Sequence, residues 1–272
     1  MTRYALNPAM PVLLRPDGVV QVGWDPRRAV LVRPPAGLSS SALAELLRTL
    51  QSGTTLAALQ TRFGVDAGEL VASLVDAGVV TTAERRRARA ASIRIHGCGP
   101  LSDLLAGALR CSGARVTHSS QTNAAPETTD LVVLSDFLVA DPRVVRELHT
   151  ARVAHLPVRL RDGAGLVGPL VIPGVTSCLG CADLHRSDRD AAWPAVASQL
   201  RDTVGSADRA TVLATAALAL NQVDRVIRAV RRGDDVGTSA EPPPTLDTTL
   251  EFDVNAGAIV ARRWSRHPRC WC

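Results

Sequence analysis

Apolar positions along the first third of the chain come in short runs divided by turn residues. In "PVLLRPDGVVQVGW" two extended runs flank Pro16-Asp17-Gly18, which is hairpin chemistry. Asp25-Pro26 supplies a second turn, and "RAVLV" reads as a third strand. "PPAGLSSS" then breaks the chain and offers serine caps to a helix. Leu43, Leu46, Leu47 and Leu50 recur there at i, i+3, i+4 and i+7, and Gly53 stops it. "TLAALQTRFG" predicts a second helix with Leu56, Leu59 and Phe63 inward. "DAGELVASLVDAG" predicts a third, with Asp66 and Glu69 as a capping pair and Leu70, Leu74 and Val75 inward. Val79 and Val80 close the segment as a short strand. A small sheet with three helices, the last two at helix-turn-helix spacing, is a winged-helix pattern, and it occupies residues 1–83.

Residues 84–91 carry a run of arginines without apolar periodicity and read as a solvated linker. From Ser92 onward strands and helices alternate. "SIRIHGCGP" is a strand running into a glycine turn, and "LSDLLAGALRCSGA" a helix with Leu101, Leu104, Leu105 and Leu109 on one face. "RVTHSS" is a second strand, and "DLVVLSDF" a third, apolar enough to be buried on both faces. "DPRVVRELHTA" is helical, "AHLPVRLRD" and "GLVGPLVIPG" extended. A long Ala-rich helix fills Asp208 to Arg232, with Val212, Ala216, Leu220, Val223, Ile227 and Val230 inward and Gly233 as its stop. "GTSAEPPP" reads as a loop, and "TLEFDVNAGAIVARRW" as a hairpin around Asn255-Ala256-Gly257. This alternation predicts an α/β sheet domain over residues 92–272.

Composition narrows the function classes. With 272 residues the chain can hold two domains; 46% of residues are apolar but only 3% aromatic, so the core is built of Ala, Val and Leu. No apolar run reaches the ~18 to 20 residues of a membrane span, and the N-terminus lacks a secretory pattern, so a cytoplasmic protein is expected. All 31 basic residues are arginine. A lysine Schiff base or a phosphate-binding ammonium therefore cannot come from this chain. The net charge of +5 says little about nucleic acid. Asp66, Glu69 and Asp76 on the third helix, with no arginine beside them, speak against DNA binding.

Four of the six cysteines form two close pairs, Cys178 with Cys181 and Cys270 with Cys272. One Cys-x-x-Cys turn gives an ion two thiolates, and zinc takes four in a tetrahedron, so a closed structural zinc site is expected. A redox dithiol is the rival, and His185 or His267 lies near enough in sequence to replace one cysteine. Cys98 and Cys111 read as small buried residues. "HGCGPLS" follows a strand and opens a helix, the setting of a nucleotide-binding turn, with Gly97 and Gly99 as its first glycines and Asp136 as the acid at the sheet edge. Ser102 stands where a third glycine belongs. "VTHSSQTN" carries no ribose-binding acid, and only Arg110 and Arg115 could meet phosphates. Binding of ATP with magnesium is thus in question, and an emptied nucleotide fold is the expectation.

The glycine turn, "DLVVLSD", "GPLVIPGVTSCLGCADL", the Ala-rich helix and the terminal cysteine pair together resemble the ThiF/MoeB-type adenylating superfamily, relatives of the ubiquitin-activating enzymes. "CADLHRSDRDAAWPAVASQL" and "HPRCWC" look like its cyclodehydratase-associated branch, which serves azole- and azoline-peptide (bacteriocin-type) biosynthesis. The resemblance implies a Rossmann-like zinc domain at 92–272 and a PqqD-like peptide-recognition element at 1–83. It implies a scaffold that binds a precursor's leader peptide for a YcaO-type ATP-dependent cyclodehydratase, and a homodimer. The leader would pair with Ala29, Val30, Leu31 and Val32 and rest on Leu70, Ser73 and Leu74. "HRSDRDAAWP" would face a partner in the family, or else be a solvated helix anchored by Trp193. The alternative is an adenylating enzyme acting on a carboxylate or a carrier-protein C-terminus.

Overall fold

The computed structural model describes residues 2–83, 89–119, 128–233 and 242–272. The chain divides into two compact units, residues 1–87 and 88–272, each with its own core. Most of the arginine-rich segment, 84–88, lies outside the described residues, as do 234–241, which include the first five residues of the expected "GTSAEPPP" loop, and the stretch 120–127 after the second sheet strand.

In the first unit β2 (Val12–Leu14), β3 (Val20–Val22) and β4 (Val30–Val32) form an antiparallel meander. Alternation sorts its faces: Val12, Val20, Val22 and Val32 are buried, whereas Leu13 and Leu31, both opposite Gln21, point outward. Helix α1 (Ser40–Gln51) is capped by Ser39, whose hydroxyl accepts from the Ala42 N–H at 3.2 Å, and it buries the leucine stripe read from its sequence. Helix α2 (Leu56–Phe63) buries Leu59 and ends on Gly64 in the left-handed conformation. Helix α3 (Gly68–Asp76) departs from expectation. Its N-cap is Ala67, with no side-chain cap bond, because Asp66 instead accepts from the Gly68 N–H at 2.9 Å. Val71 and Leu74 point inward, whereas Leu70 and Val75 are half-buried. The unit is closed by a strand the pattern did not reveal: β1 (Arg3–Leu6) pairs antiparallel with β5 (Val80–Ala83), Leu6 opposite Val80.

The second unit is built on one seven-stranded sheet in the order β12-β11-β10-β9-β8-β6-β7. β6 (Ser92–His96), β7 (Arg115–Ser119), β8 (Leu131–Ser135) and β9 (Ala154–Arg161) run parallel. Helix α4 (Pro100–Leu109) links β6 to β7, and α5 (Pro142–Thr150) links β8 to β9. Every residue of β8 is buried, as a central parallel strand requires. β10 (Ala164–Val167), β11 (Thr248–Asp253) and β12 (Ala258–Arg263) then continue the sheet antiparallel. The fold is mixed α/β, consistent with a Rossmann-like arrangement.

Helix α8 (Arg209–Arg232), capped by Asp208 and ended by Gly233, packs on α4 and on β9 and β10. The approach is close: a Cβ at Gly165 of β10 would collide with the Thr215 hydroxyl. Helix α6 (Leu179–Arg189) begins at the first cysteine pair, with Cys178 as its N-cap and Cys181 in its first turn, and α7 (Trp193–Leu200) follows. Arg89, from the expected linker, donates to Asp130 at 2.7 Å and so belongs to this unit's surface. Cys98 and Cys111 are exposed, contrary to the expectation of burial: one sits in the glycine turn, the other just past the end of α4. Among the described residues no helix is long and apolar enough to cross a membrane.

Candidate functional site

The two cysteine pairs meet. Cys178 caps α6, and its sulfur accepts from the Cys181 N–H at 3.4 Å, so the Cys-x-x-Cys turn points both thiols the same way. The 267–272 stretch brings the second pair alongside. Sγ separations are 3.8 Å for Cys178–Cys181, 3.5 Å for Cys178–Cys270 and 3.4 Å for Cys181–Cys272, and all four sulfurs lie within 4.8 Å of one another. A tetrahedron with metal–sulfur bonds of about 2.3 Å has edges of about 3.8 Å, so the cluster has the size of a metal tetrathiolate. The four cysteines can hold a metal ion, and their soft donor set is compatible with zinc.

Neither neighbouring histidine joins the cluster. His267 uses both ring nitrogens, Nε2 with Asp188 at 2.8 Å and Nδ1 with the Arg269 N–H at 3.1 Å. His185 Nε2 faces the Ser265 carbonyl at 3.1 Å and packs edge-on against His267. Asp188 also holds Arg269, which fastens the 267–272 stretch to the end of α6. Burial pushes the Cys178 thiol up, and the Cys272 thiol up to about 11. At Cys181 burial also opposes ionisation, but hydrogen bonds from the Cys178 and His267 backbones outweigh it and bring the thiol to about 7. A bound cation is what would let all four ionise together.

The glycine turn has an occupant of its own. Asp136, one residue past β8, is 1% exposed and has a left-handed backbone, φ 73°. Its Oδ1 accepts from the Leu101 N–H at 2.9 Å, and its Oδ2 from the Ser102 N–H at 3.3 Å. These are first-turn amides of α4, the groups that would otherwise meet a phosphate. Ser102 closes the turn further: its hydroxyl donates to the Gly99 carbonyl at 2.9 Å and accepts from the Gly99 N–H at 3.1 Å. The glycines fit around this carboxylate. A Cβ at Gly97 would lie 2.7 Å from Asp136 Oδ2, and one at Gly99 2.9 Å from its Cγ. Sequence reasoning brought Gly97, Gly99 and Asp136 together but missed that the acid faces the helix. Its signal was the serine replacing the third glycine.

In the first unit Val30, Leu31 and Val32 form β4, with Ala29 just before it. Among the described residues β4 pairs only with β3, so its other edge is open. The ladder gives its polarity. The Arg15 N–H bonds Val19 and the Gly23 N–H bonds Pro11, so Val19, Gln21 and Gly23 face β2 while Val20 and Val22 face β4. Val30 and Val32, their partners, therefore turn their backbone groups inward, and Leu31 presents its N–H and C=O to the open edge. On α3, Ser73 is exposed and Leu70 half-buried, but Leu74 is committed to the unit's own core.

No family model and no curated protein matches the sequence. Solved structures share the fold. A heterocyclase in complex with substrate and cofactor aligns with 100% of this chain and 39% of its own, at TM-score 0.68 and 15% identity. The heterocyclase TruD aligns over 100% and 42%, at 0.66 and 17%. MccB of E. coli, solved with ATP, aligns over 99% of both chains, at 0.58 and 14%. The chain thus spans about two-fifths of the heterocyclases' length and nearly all of MccB's. At these identities the likeness establishes the fold.

Proposed function

We propose that the chain binds a ribosomal precursor peptide and presents it to a YcaO-type ATP-dependent cyclodehydratase, as a scaffold without adenylating chemistry of its own. Residues 1–83 act as a PqqD-like, winged-helix recognition element, and residues 92–272 as a ThiF-like zinc domain that pairs as a homodimer. The observation that carries the scaffold half is Asp136, whose carboxylate takes the α4 amides a phosphate would need. A nucleotide phosphate there would meet a buried negative charge at close range, and the chain has no lysine to offset it. Peptide handling is supported by the fold shared with a heterocyclase solved with its substrate and with MccB, which has been solved with N-formylated MccA.

Zinc in this reading is structural. Cys178, Cys181, Cys270 and Cys272 fill all four positions, so the ion would cross-link the unit and offer no open site. Recognition falls to the free edge of β4, where an extended peptide adds as a strand, with Leu70 and Ser73 of α3 as further contacts. Leu31→Pro tests this directly: proline removes the outward N–H yet spares the β3 ladder. Fluorescence anisotropy with a labelled leader peptide should show at least a roughly tenfold loss of affinity in a variant with an unchanged melting temperature. Unchanged affinity sinks the edge-pairing reading.

A second reading, an adenylating enzyme acting on a carboxylate, draws on the near-complete alignment with MccB solved with ATP. It requires Asp136 to leave α4 and hold magnesium. Carboxylate-dependent ATP–pyrophosphate exchange would establish it and remove the scaffold reading.

A further inference from the structure

Beside the cysteine cluster lies a cavity of about 680 Å³, within the range typical of small-molecule sites. It opens between the end of β9, helix α5 and helices α6 and α7, and one wall is the Cys270-Trp271-Cys272 stretch. Its lining is largely apolar, with Leu138, Val145, Leu179 and Leu200, and Trp193 adds an aromatic face. Asp136 does not line it, so it is separate from the glycine turn.

One arginine inside forms no salt bridge among the described residues. Arg159, on β9, lines the cavity, and the sole hydrogen bond of its side chain among the described residues runs from Nη1 to the Leu138 carbonyl, 3.0 Å. The neighbouring arginines are provided for. Arg161 pairs with Glu251 at 3.2 Å, and Arg186 with Asp183 at 3.0 Å. Arg186 also lies over the Trp193 ring at 5.0 Å, and Asp183 accepts from Trp193 Nε1 at 3.2 Å. Both donors reach Asp183 Oδ1, and Asp183 attracts Arg159 from a distance without forming an ion pair with it among the described residues. Burial lowers Arg159 to about 10, which still leaves it charged at neutral pH. Arg159 is half-buried and faces the cavity, so a ligand carboxylate could pair with its guanidinium through two parallel N–H···O bonds.

We propose that this cavity binds a small organic carboxylate on an apolar or aromatic body, with Arg159 as its charge partner and Trp193 and the leucines around its body. One unpaired guanidinium suits a monoanion. A phosphate dianion calls for more positive charge than the interior offers, since the other lining arginine without an ion pair among the described residues, Arg146, is exposed. The proposal stands independently of peptide binding at β4.

Isothermal titration of the zinc-loaded full chain tests it, with 4-phenylbutyrate, its neutral analogue 4-phenylbutanamide and phenyl phosphate as probes. Phenylbutyrate should bind one per chain, at least about tenfold tighter than the amide and tighter than phenyl phosphate. Arg159→Met should bring acid and amide to equal affinity, and Val145→Trp, which fills the cavity, should abolish binding of both. Equal affinities in the wild type, an intact acid preference in Arg159→Met, or full binding in Val145→Trp would each overturn the proposal. Tighter binding of phenyl phosphate would overturn the carboxylate assignment. If Arg159→Met does not fold, the wild-type comparison and Val145→Trp decide.

Discussion

Replacing Asp136 by asparagine isolates what the buried carboxylate does for α4. Asparagine tolerates the left-handed backbone at this position, so the change tests the charge rather than backbone strain. The native side chain accepts from two first-turn amides, one on each oxygen. Asparagine has a single acceptor oxygen, so one buried N–H loses its partner and the other loses a charged one. Hydrogen bonds to charged groups contribute about 1.5–3 kcal/mol, against about 1 kcal/mol for neutral ones, and an unsatisfied buried donor costs about 1–3 kcal/mol. The helix dipole adds to the loss. A net penalty of about 2 kcal/mol follows if the surroundings relax in part. Hydrogen exchange read at the Leu101 and Ser102 amides should then lose about 30-fold in protection, at about 1.4 kcal/mol per tenfold. Unchanged protection at both amides refutes the reasoning. So does phosphate or Mg-ATP stabilising the wild type, which would mean that the carboxylate yields to an incoming anion.

Two other expectations concern the second unit. His155 is fully buried, and burial pushes it down to about 4, so it is neutral in the folded state while the unfolded residue titrates near 6.5. Its contribution to stability is complete above about pH 6.5 and is lost progressively as the pH falls toward about 4, by up to about 3 kcal/mol. Urea unfolding at about pH 7 and about pH 4.5 should show a smaller difference for His155→Gln than for the wild type, and equal differences refute the assignment. Deleting residues 270–272 should remove one equivalent of metal by mass spectrometry and lower the melting temperature of the unit; zinc retained at one per chain would reject the four-cysteine site.

What was legible in the sequence was local or written by chelation. The leucine stripe of α1, the span of α8 between Asp208 and Gly233 and the all-buried β8 each declare themselves within one window. The cysteine pairs announced their ion-binding geometry because spacing alone lets one turn present two sulfurs. Features made by distant partners stayed hidden. β1 is four residues with only Leu6 fully buried, and it is a strand because β5 lies alongside it, Leu6 against Val80. The inward face of α3 is chosen by the rest of the unit's core, against which Val71 and Leu74 are buried. Asp136 and Ser102 are 34 residues apart, and nothing local says that one accepts from the other's amide. Arg159 lies in a stretch read only as extended, and the cavity it lines is made by α5, α6, α7 and the 270–272 stretch, which are distant in sequence.

The cysteine cluster has a topological side as well. Cys178 and Cys270 are 92 positions apart, and α6, α7, α8 and the β11–β12 hairpin all lie between them. A metal tying the two pairs would turn this stretch into a ring, shrinking the number of conformations open to it when unfolded. By the loop-closure relation for cross-links, such a ring favours the folded state by on the order of 4 kcal/mol. Chelation would act on it as cutting a loop does, releasing a stretch that holds three helices and a hairpin rather than loosening one turn.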